Sequence, residues 1–280
     1  MSNDPPQNPL LEYDLIKPPG QKPDIVDLIG PWFDRPPGEP AAKTLIICAA
    51  PRTGSTSLGR LLLAAGIGVA HEYFNPPLAA IAASRWGLAS TPLSPEHIGT
   101  YIGELRRRRA AGSVFATKLQ YWQYQYSLRN EHGRSLFGGA VVVHLFRADA
   151  FRQFLSLLKA SETGQYDFSD RATQQPRSAT RLLSERNLLE MAEGLMTEDS
   201  GFRRLFIFSG IRPIFVEFDE LNREPRSVVD KISQALGAPV NHEGLDKALA
   251  IAGPYSREQR NDHYQEKALL EIMRKFVFQK

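Results

Sequence analysis

Short apolar runs alternate with longer stretches of helical period along most of this chain. KTLIICAA from Lys43, SVFATKL at 113–119, AVVVHLF at 140–146 and RPIFVEFDEL at 212–221 read as strands. Between and after them, SLGRLLLAAG and the stretches 149–160, 181–208, 225–236 and 257–277 carry helical spacing. Continuous apolar strands alternating with helices predict an α/β fold, a P-loop-type, mainly parallel sheet flanked by helices on both faces. The polar stretch SETGQYDFSDRATQQPRSA, 161–179, follows neither period and reads as a long loop inside the domain.

Proline marks a boundary at the other end. Ten of the 20 prolines fall within the first 42 residues, where missing amide donors oppose regular structure. We therefore expect a Pro-rich N-terminal arm over 1–42 and a single domain over 43–280. Ile25, Val26, Leu28, Ile29, Trp32 and Phe33 give the arm an apolar segment expected to lie against the domain.

Composition narrows the functional classes. Of 280 residues, 42% are hydrophobic, enough for a substantial core. Thirty-four Lys and Arg against 31 Asp and Glu leave a net charge of +3, too mild for a dedicated nucleic-acid binder and suited to a local anionic site. Cys48 is the only cysteine, so an intramolecular disulfide and a thiolate cluster are excluded, and the six histidines lack a spacing such as HExxH. No metal site is expected. The N-terminal residues do not read as a secretion signal and no uninterrupted apolar run reaches spanning length, so a cytoplasmic protein without a membrane span is expected.

The strongest local signal is CAAPRTGSTSLGRLL, a glycine-containing turn that follows a strand and opens a helix with Ser55, Thr56 and Ser57. Amides at such a helix start converge on an anion, and the helix dipole favours its charge. A Walker A loop would place Lys after Gly54, where this chain has Ser55, and AVVVHLF runs into Arg147 rather than an acid. Arg52 stands earlier in the loop, a planar fork able to grip an oxyanion. The residues point to a nucleotide handled without magnesium, and a strand-to-helix turn capped by Ser or Thr is the plainer alternative.

These segments together resemble the sulfotransferases that use 3′-phosphoadenosine 5′-phosphosulfate (PAPS), and the bacterial Stf0 group, which includes trehalose 2-sulfotransferases, most of all. The resemblance runs through APRTGSTSL at 50–58, AHEYFN at 70–75, VFATKL at 114–119 and VVHLFRADAFRQFLSLLKA at 142–160, where arginine and serine stand nine residues apart. EQRNDHY at 258–264 matches more loosely, and the arm is not covered. It implies sulfuryl transfer from PAPS, with adenosine 3′,5′-bisphosphate (PAP) as product. Arg52, Thr53, Gly54, Ser55, Thr56 and Ser57 would hold the phosphosulfate, Arg147 and Ser156 the 3′-phosphate, and Arg260 would close over the nucleotide. Glu72 is the implied base, although the adjacent His71 is a base type used by other sulfotransferases.

The chemistry asks for the same parts. An acceptor hydroxyl is a poor nucleophile at neutral pH, so a positioned base must take its proton, and fixed cations and amides must stabilise charge on the sulfuryl oxygens. In an extended segment His71 and Glu72 point in opposite directions, so one of them faces the sulfuryl. Lys118, at the end of its strand, is expected to line the same cleft; an exposed strand-end lysine is the alternative. Tyr121, Trp122, Tyr124 and Tyr126 offer platforms for a sugar or lipid-linked acceptor, or else a core-facing stripe. Trp122 stands four residues after Lys118, with Tyr121 in the family's usual third place, so trehalose specificity does not transfer. A carbohydrate or glycolipid hydroxyl is the expected acceptor, and a homodimer is compatible with the resemblance. Arg106 to Arg109 read as a solvated helix end, Arg152 and Lys159 as a wet helix face, and His144 and Cys48 as core. An ATP-dependent P-loop kinase and a non-catalytic, nucleotide-responsive binding protein are the competing readings.

Overall fold

A computed structural model describes residues 29–163 and 185–252. The elements in chain order are a 3-10 turn Pro31–Phe33, β1 Lys43–Ala49, α1 Ser55–Ala64, α2 Pro76–Arg85, α3 Ile98–Arg108, β2 Ala110–Ala111, β3 Val114–Leu119, a short α4 Tyr121–Gln123 running into a π turn Tyr124–Leu128, α5 Glu131–Phe137, β4 Val141–Phe146, α6 Ala150–Thr163, α7 Glu185–Ser209, β5 Ile214–Glu217, α8 Phe218–Arg223, α9 Pro225–Leu236 and α10 His242–Ala252. The expected α/β architecture is present, with the strands ordered β2-β3-β1-β4-β5. All pair in parallel except the two-residue β2, which lies antiparallel on β3.

Central β1 shows why the sheet forms. Leu45, Ile47 and Ala49 face one core with Leu58, Leu62, Val143 and Ile232, while Ile46 and Cys48 face the other with Phe115, Tyr101 and Phe202. Successive side chains of a strand alternate in direction, so an unbroken apolar run is buried on both sides. After β1 the chain crosses to β3 on one side and later to β4 on the other. The carboxyl end of β1 is therefore a topological switch point, where open α/β sheets form their binding crevices.

One predicted strand is corrected. RPIFVEFDEL does not continue as strand: only Ile214–Glu217 pairs with β4, and Phe218–Arg223 turns into α8. The Glu217 carboxylate accepts from the amides of Asp219 and Glu220, an N-cap that outweighs the β propensity of the apolar residues. The predicted loop does not begin at 161, because α6 continues to Thr163; its remainder lies outside the described residues, as do Ile25, Val26, Leu28, the helix expected at 257–277 and Arg260.

Ile29 and Phe33 are buried against the domain while Trp32 is exposed. Behind them Asp34 is the hub of a charge cluster: it accepts from Arg85 Nε at 2.6 Å and Trp86 Nε1 at 2.8 Å, and its other oxygen lies 3.2 Å from Arg109 Nη1. The arginine run is accordingly not a uniformly solvated helix end. Arg107 and Arg108 pair with Glu104, but the Arg109 side chain is completely buried, its guanidinium 5.3 Å from the centre of the Tyr73 ring.

The turn after β1 is backbone-determined. Gly54 has φ +86° and Arg52 φ +66°, the latter the one non-glycine residue with positive φ among the described residues. A Cβ on Gly54 would stand 3.1 Å from the Phe218 ring.

Two outcomes follow for stability. Asp34→Ala removes the carboxylate beside a buried guanidinium and should lower unfolding free energy by about 3–5 kcal/mol in urea denaturation; a change within 0.5 kcal/mol, roughly that of a surface substitution, would refute the clamp. Gly54→Ala should cost about 1–2 kcal/mol for its left-handed backbone. Its crystal structure should show Phe218 displaced; an unmoved ring would contradict the packing.

Candidate active site

The loop that leaves β1 is fastened from within and from α6. Thr53 Oγ1 donates to the Ala50 carbonyl at 2.9 Å, and the buried Gln153 amide donates to the Pro51 carbonyl at 2.7 Å. Arg52 Nε donates to Ser156 Oγ at 3.0 Å. The positive φ of Arg52 is thus over-determined by its surroundings, as a strained functional backbone requires. Helix α1 then starts at Ser55 with no side-chain cap on Gly54 and no acidic residue in its first turn. The orphan amides of Ser55, Thr56 and Ser57 form an electropositive end suited to an anion.

Lys118 joins this helix start to the carboxylate. From β3 its Nζ lies 3.1 Å from Thr56 Oγ1 and 3.1 Å from Glu72 Oε1. Both charged side chains are only 10% exposed, so Lys118 is no exposed strand-end lysine. Glu72 reaches this place because the preceding residue is stitched to β3. Lys118 N donates to the His71 carbonyl at 2.9 Å, a parallel bridge outside the named strands. The segment is extended there, and the two side chains separate as expected. His71 packs edge-on to Tyr73, its Nε2 without a hydrogen bond among the described residues, while Glu72 turns to Lys118.

The electrostatics distinguish the pair. Burial pushes the His71 imidazole down to about 3, with Lys118 and Arg109 adding to the shift and Glu72 opposing it, so the ring is neutral. Burial pushes the Glu72 carboxyl up, but the Lys118 ammonium, its hydrogen bond and the Gln123 amide outweigh it and hold the group below the usual glutamate value. Glu72 is an ionised carboxylate in a nearly dry setting.

Two glutamines complete this setting. Gln123 Nε2 donates to Glu72 Oε2 at 3.0 Å and Gln120 Nε2 to Oε1 at 3.3 Å. Neither stood out in KLQYWQYQYSLR, where aromatic rings dominate; the available signal was two amides at i, i+3 immediately after a strand. The rings themselves divide. Tyr121 stacks on Tyr124 and meets Phe202 edge-on, so these two belong to the core. Trp122 is 38% and Tyr126 65% exposed, and the Trp122 indole donates to Gln120 Oε1 at 2.8 Å, one amide away from Glu72.

The remaining predicted residues are distributed over this end of the sheet. Arg147 stacks 4.4 Å from the centre of the Phe218 ring, the ring that Gly54 also abuts. Ser156 meets Arg52 rather than standing apart from the loop, so the loop and α6 form one unit. Arg152 and Lys159 occupy the exposed face of α6 and Cys48 is buried, as read from the sequence. His144 is a core residue, as read from the sequence. Its Nε2 lies 3.2 Å from Asp199 Oδ1 off hydrogen-bond alignment, and neither ring nitrogen has a hydrogen bond among the described residues. Among those residues no group of three His, Cys, Asp or Glu side chains is placed to hold a metal ion, and no helix is long and apolar enough to cross a membrane.

Comparison with known proteins bears on what such a site does. A comparison with curated proteins finds no match. Among solved structures the chain is similar to the sulfotransferase domain from the Synechococcus PCC 7002 olefin synthase, with 19% identity over 86% of this chain and 82% of that one and a TM-score of 0.43. Residues 44–262 match the family model described as Stf0 sulphotransferase. That match spans β1 to beyond α10, the loop, Glu72 and Lys118 included, and displaces the kinase and non-catalytic readings: the chain belongs to the Stf0 sulphotransferase family and is an enzyme of sulfuryl transfer.

Proposed function

We propose that this enzyme takes its sulfuryl group from PAPS and delivers it to a hydroxyl of a carbohydrate or glycolipid, with Glu72 as general base. The observation that carries this reading is the position of Lys118 Nζ, 3.1 Å from both the Glu72 carboxylate and the Thr56 hydroxyl. A base and an anion-accepting helix start are thereby held on either side of one buried cation.

In this reading the α1 amides of Ser55, Thr56 and Ser57, with Arg52, Thr53 and Gly54, take the phosphosulfate. Arg147 and Ser156 take the 3′-phosphate that distinguishes PAPS from ordinary adenylates, and Arg260 closes over the nucleotide. The acceptor oxygen attacks sulfur as its proton passes to Glu72. The bond from sulfur to the bridging phosphate oxygen breaks, and its electron pair stays with the phosphate of PAP. Lys118 and Arg52 stabilise the charge that develops on the sulfuryl and leaving oxygens, where fixed charges in a site poor in water act most strongly. Trp122, exposed and tied through Gln120 to Glu72, supports an acceptor with a flat apolar face, which a pyranose ring has. The net charge of +3 and the absence of a spanning helix among the described residues are compatible with a cytoplasmic enzyme, and association as a homodimer belongs to the same proposal.

Glu72→Gln should bind PAP with affinity within about twofold of wild type and lose roughly 10²–10⁴-fold in turnover. Isothermal calorimetry in chelator and single-turnover transfer from labelled PAPS to a metabolite extract measure the two quantities. Unchanged turnover would remove Glu72 from the mechanism, and ATP binding more tightly than PAP would remove PAPS. Because Glu72 is held below the usual glutamate value, the acid limb of kcat/KM should lie below that value in wild type. Activity lost as pH falls only above it would contradict the assignment.

A further inference from the structure

The Glu72 carboxylate has a definite occupancy of lone pairs. An ionised carboxylate offers about four acceptor sites, two on each oxygen. Oε1 receives Lys118 Nζ at 3.1 Å and Gln120 Nε2 at 3.3 Å, and Oε2 receives Gln123 Nε2 at 3.0 Å. Three sites are taken among the described residues, and the fourth lies on Oε2.

The two amides cannot turn over without losing partners. Gln123 is completely buried, and its Oε1 accepts from the Gln120 backbone amide at 3.1 Å, which directs its Nε2 to Glu72. Gln120 Oε1 accepts from the Trp122 indole at 2.8 Å, which directs its Nε2 the same way. The turn that carries both is itself anchored. Glu198 of α7 accepts from the amides of Tyr121 at 2.5 Å and Trp122 at 3.0 Å. A Cβ at Gly201, one turn further along α7, would collide with the Tyr121 ring, so α7 lies directly against this turn.

We infer that Gln123, assisted by Gln120, is a positioning residue that fixes the rotation of the Glu72 carboxylate and reserves one lone pair of Oε2 for the acceptor hydroxyl. The inference rests on Glu72 being the base. It assigns the proton to a particular oxygen and gives a function to the buried Gln123 amide and its neighbour Gln120, which sulfuryl transfer as such does not require. A hydrogen bond donated to a carboxylate favours its ionised form, so the same contacts help to keep Glu72 charged. The charged and titratable groups facing Glu72 are Lys118 from β3, the neutral His71 beside it, and Glu198 from α7, whose negative charge opposes ionisation.

The test reads the carboxyl directly and needs no acceptor. In full-length protein labelled with 13C at glutamate carboxyls, the resonance that disappears in Glu72→Gln is followed against pH. Gln123→Met keeps the length of the side chain and removes its donors. The Glu72 resonance should then titrate higher than in wild type, by about one pH unit, while the rest of the carboxyl spectrum stays in place. Gln120→Met, at a less buried position, should move it in the same direction by less, and it serves if Gln123→Met does not fold. An unmoved titration in a folded variant overturns the inference. Transfer of labelled sulfate from PAPS to a metabolite extract keeps the two questions apart. If Glu72→Gln transfers at the wild-type rate, the base assignment fails whatever the resonance does. If Glu72→Gln is inactive and Gln123→Met transfers normally with an unmoved titration, only the positioning role fails.

Discussion

A buried ammonium shared by a carboxylate and a hydroxyl is the contact on which this site depends. Withdrawing the Lys118 and Glu72 charges from water carries an effective penalty of several kcal/mol per ion, offset only where the geometry is good and the remaining hydrogen-bonding capacity is filled. The structure fills it from separate parts of the chain. Thr56 of α1 accepts a hydrogen bond from Lys118, while Gln120 and Gln123 of the α4 turn donate to Glu72. Glu72 itself is delivered by a single bridge from His71 to the outer edge of β3. The pair therefore acts as a register mark: it is satisfied only when β3, α1, the stretch at 71–72 and the α4 turn are all in position.

The loop after β1 obeys a related constraint. Its left-handed backbone at Arg52 and Gly54 is unfavourable in isolation, more so at arginine, which has a Cβ. It is held by the Gln153 amide donating to the Pro51 carbonyl, by the Ser156 hydroxyl accepting from Arg52 and by the packing of Phe218 against Gly54. Phe218 belongs to α8 and also carries the Arg147 guanidinium on its face. The loop, the end of β4, α6 and α8 are consequently one mechanical unit, and any anion bound there meets amides and cations that are already oriented.

A second set of buried charges lies behind the site. Asp34, in the proline-rich stretch before β1, holds Arg85 and compensates the fully buried Arg109, whose guanidinium lies over Tyr73 two residues from His71. Arg109 is also one of the charges that keep His71 neutral. The residues at 29–35 are thus coupled electrostatically to the surroundings of the site, beyond covering an apolar patch.

Much of this was legible in the linear chain because it is local. Apolar runs one strand long, helical spacing and a glycine turn leading to three hydroxyl residues are short-range signals, and they yielded the parallel sheet, the α9 boundaries and the loop at the end of β1. FDEL was misread as strand because a capping carboxylate competes locally with apolar pattern, and Glu217 decided the outcome. Glu72 was singled out through family resemblance and Lys118 from its place at a strand end, but their 3.1 Å contact was not readable, since it depends on the register of 71–72 on β3. Nor was the division of the aromatic segment into core Tyr121 and Tyr124 and exposed Trp122 and Tyr126, which the packing of α7 decides. The same holds for Gln123, Glu198 and the Asp34–Arg109 pair. The sequence by itself determined the main strands, several helices and the glycine turn after β1, because backbone propensity and hydrophobic period act over a few residues. Only the tertiary structure decided which buried charges meet, because each charge is tolerated only beside a partner brought from elsewhere in the chain.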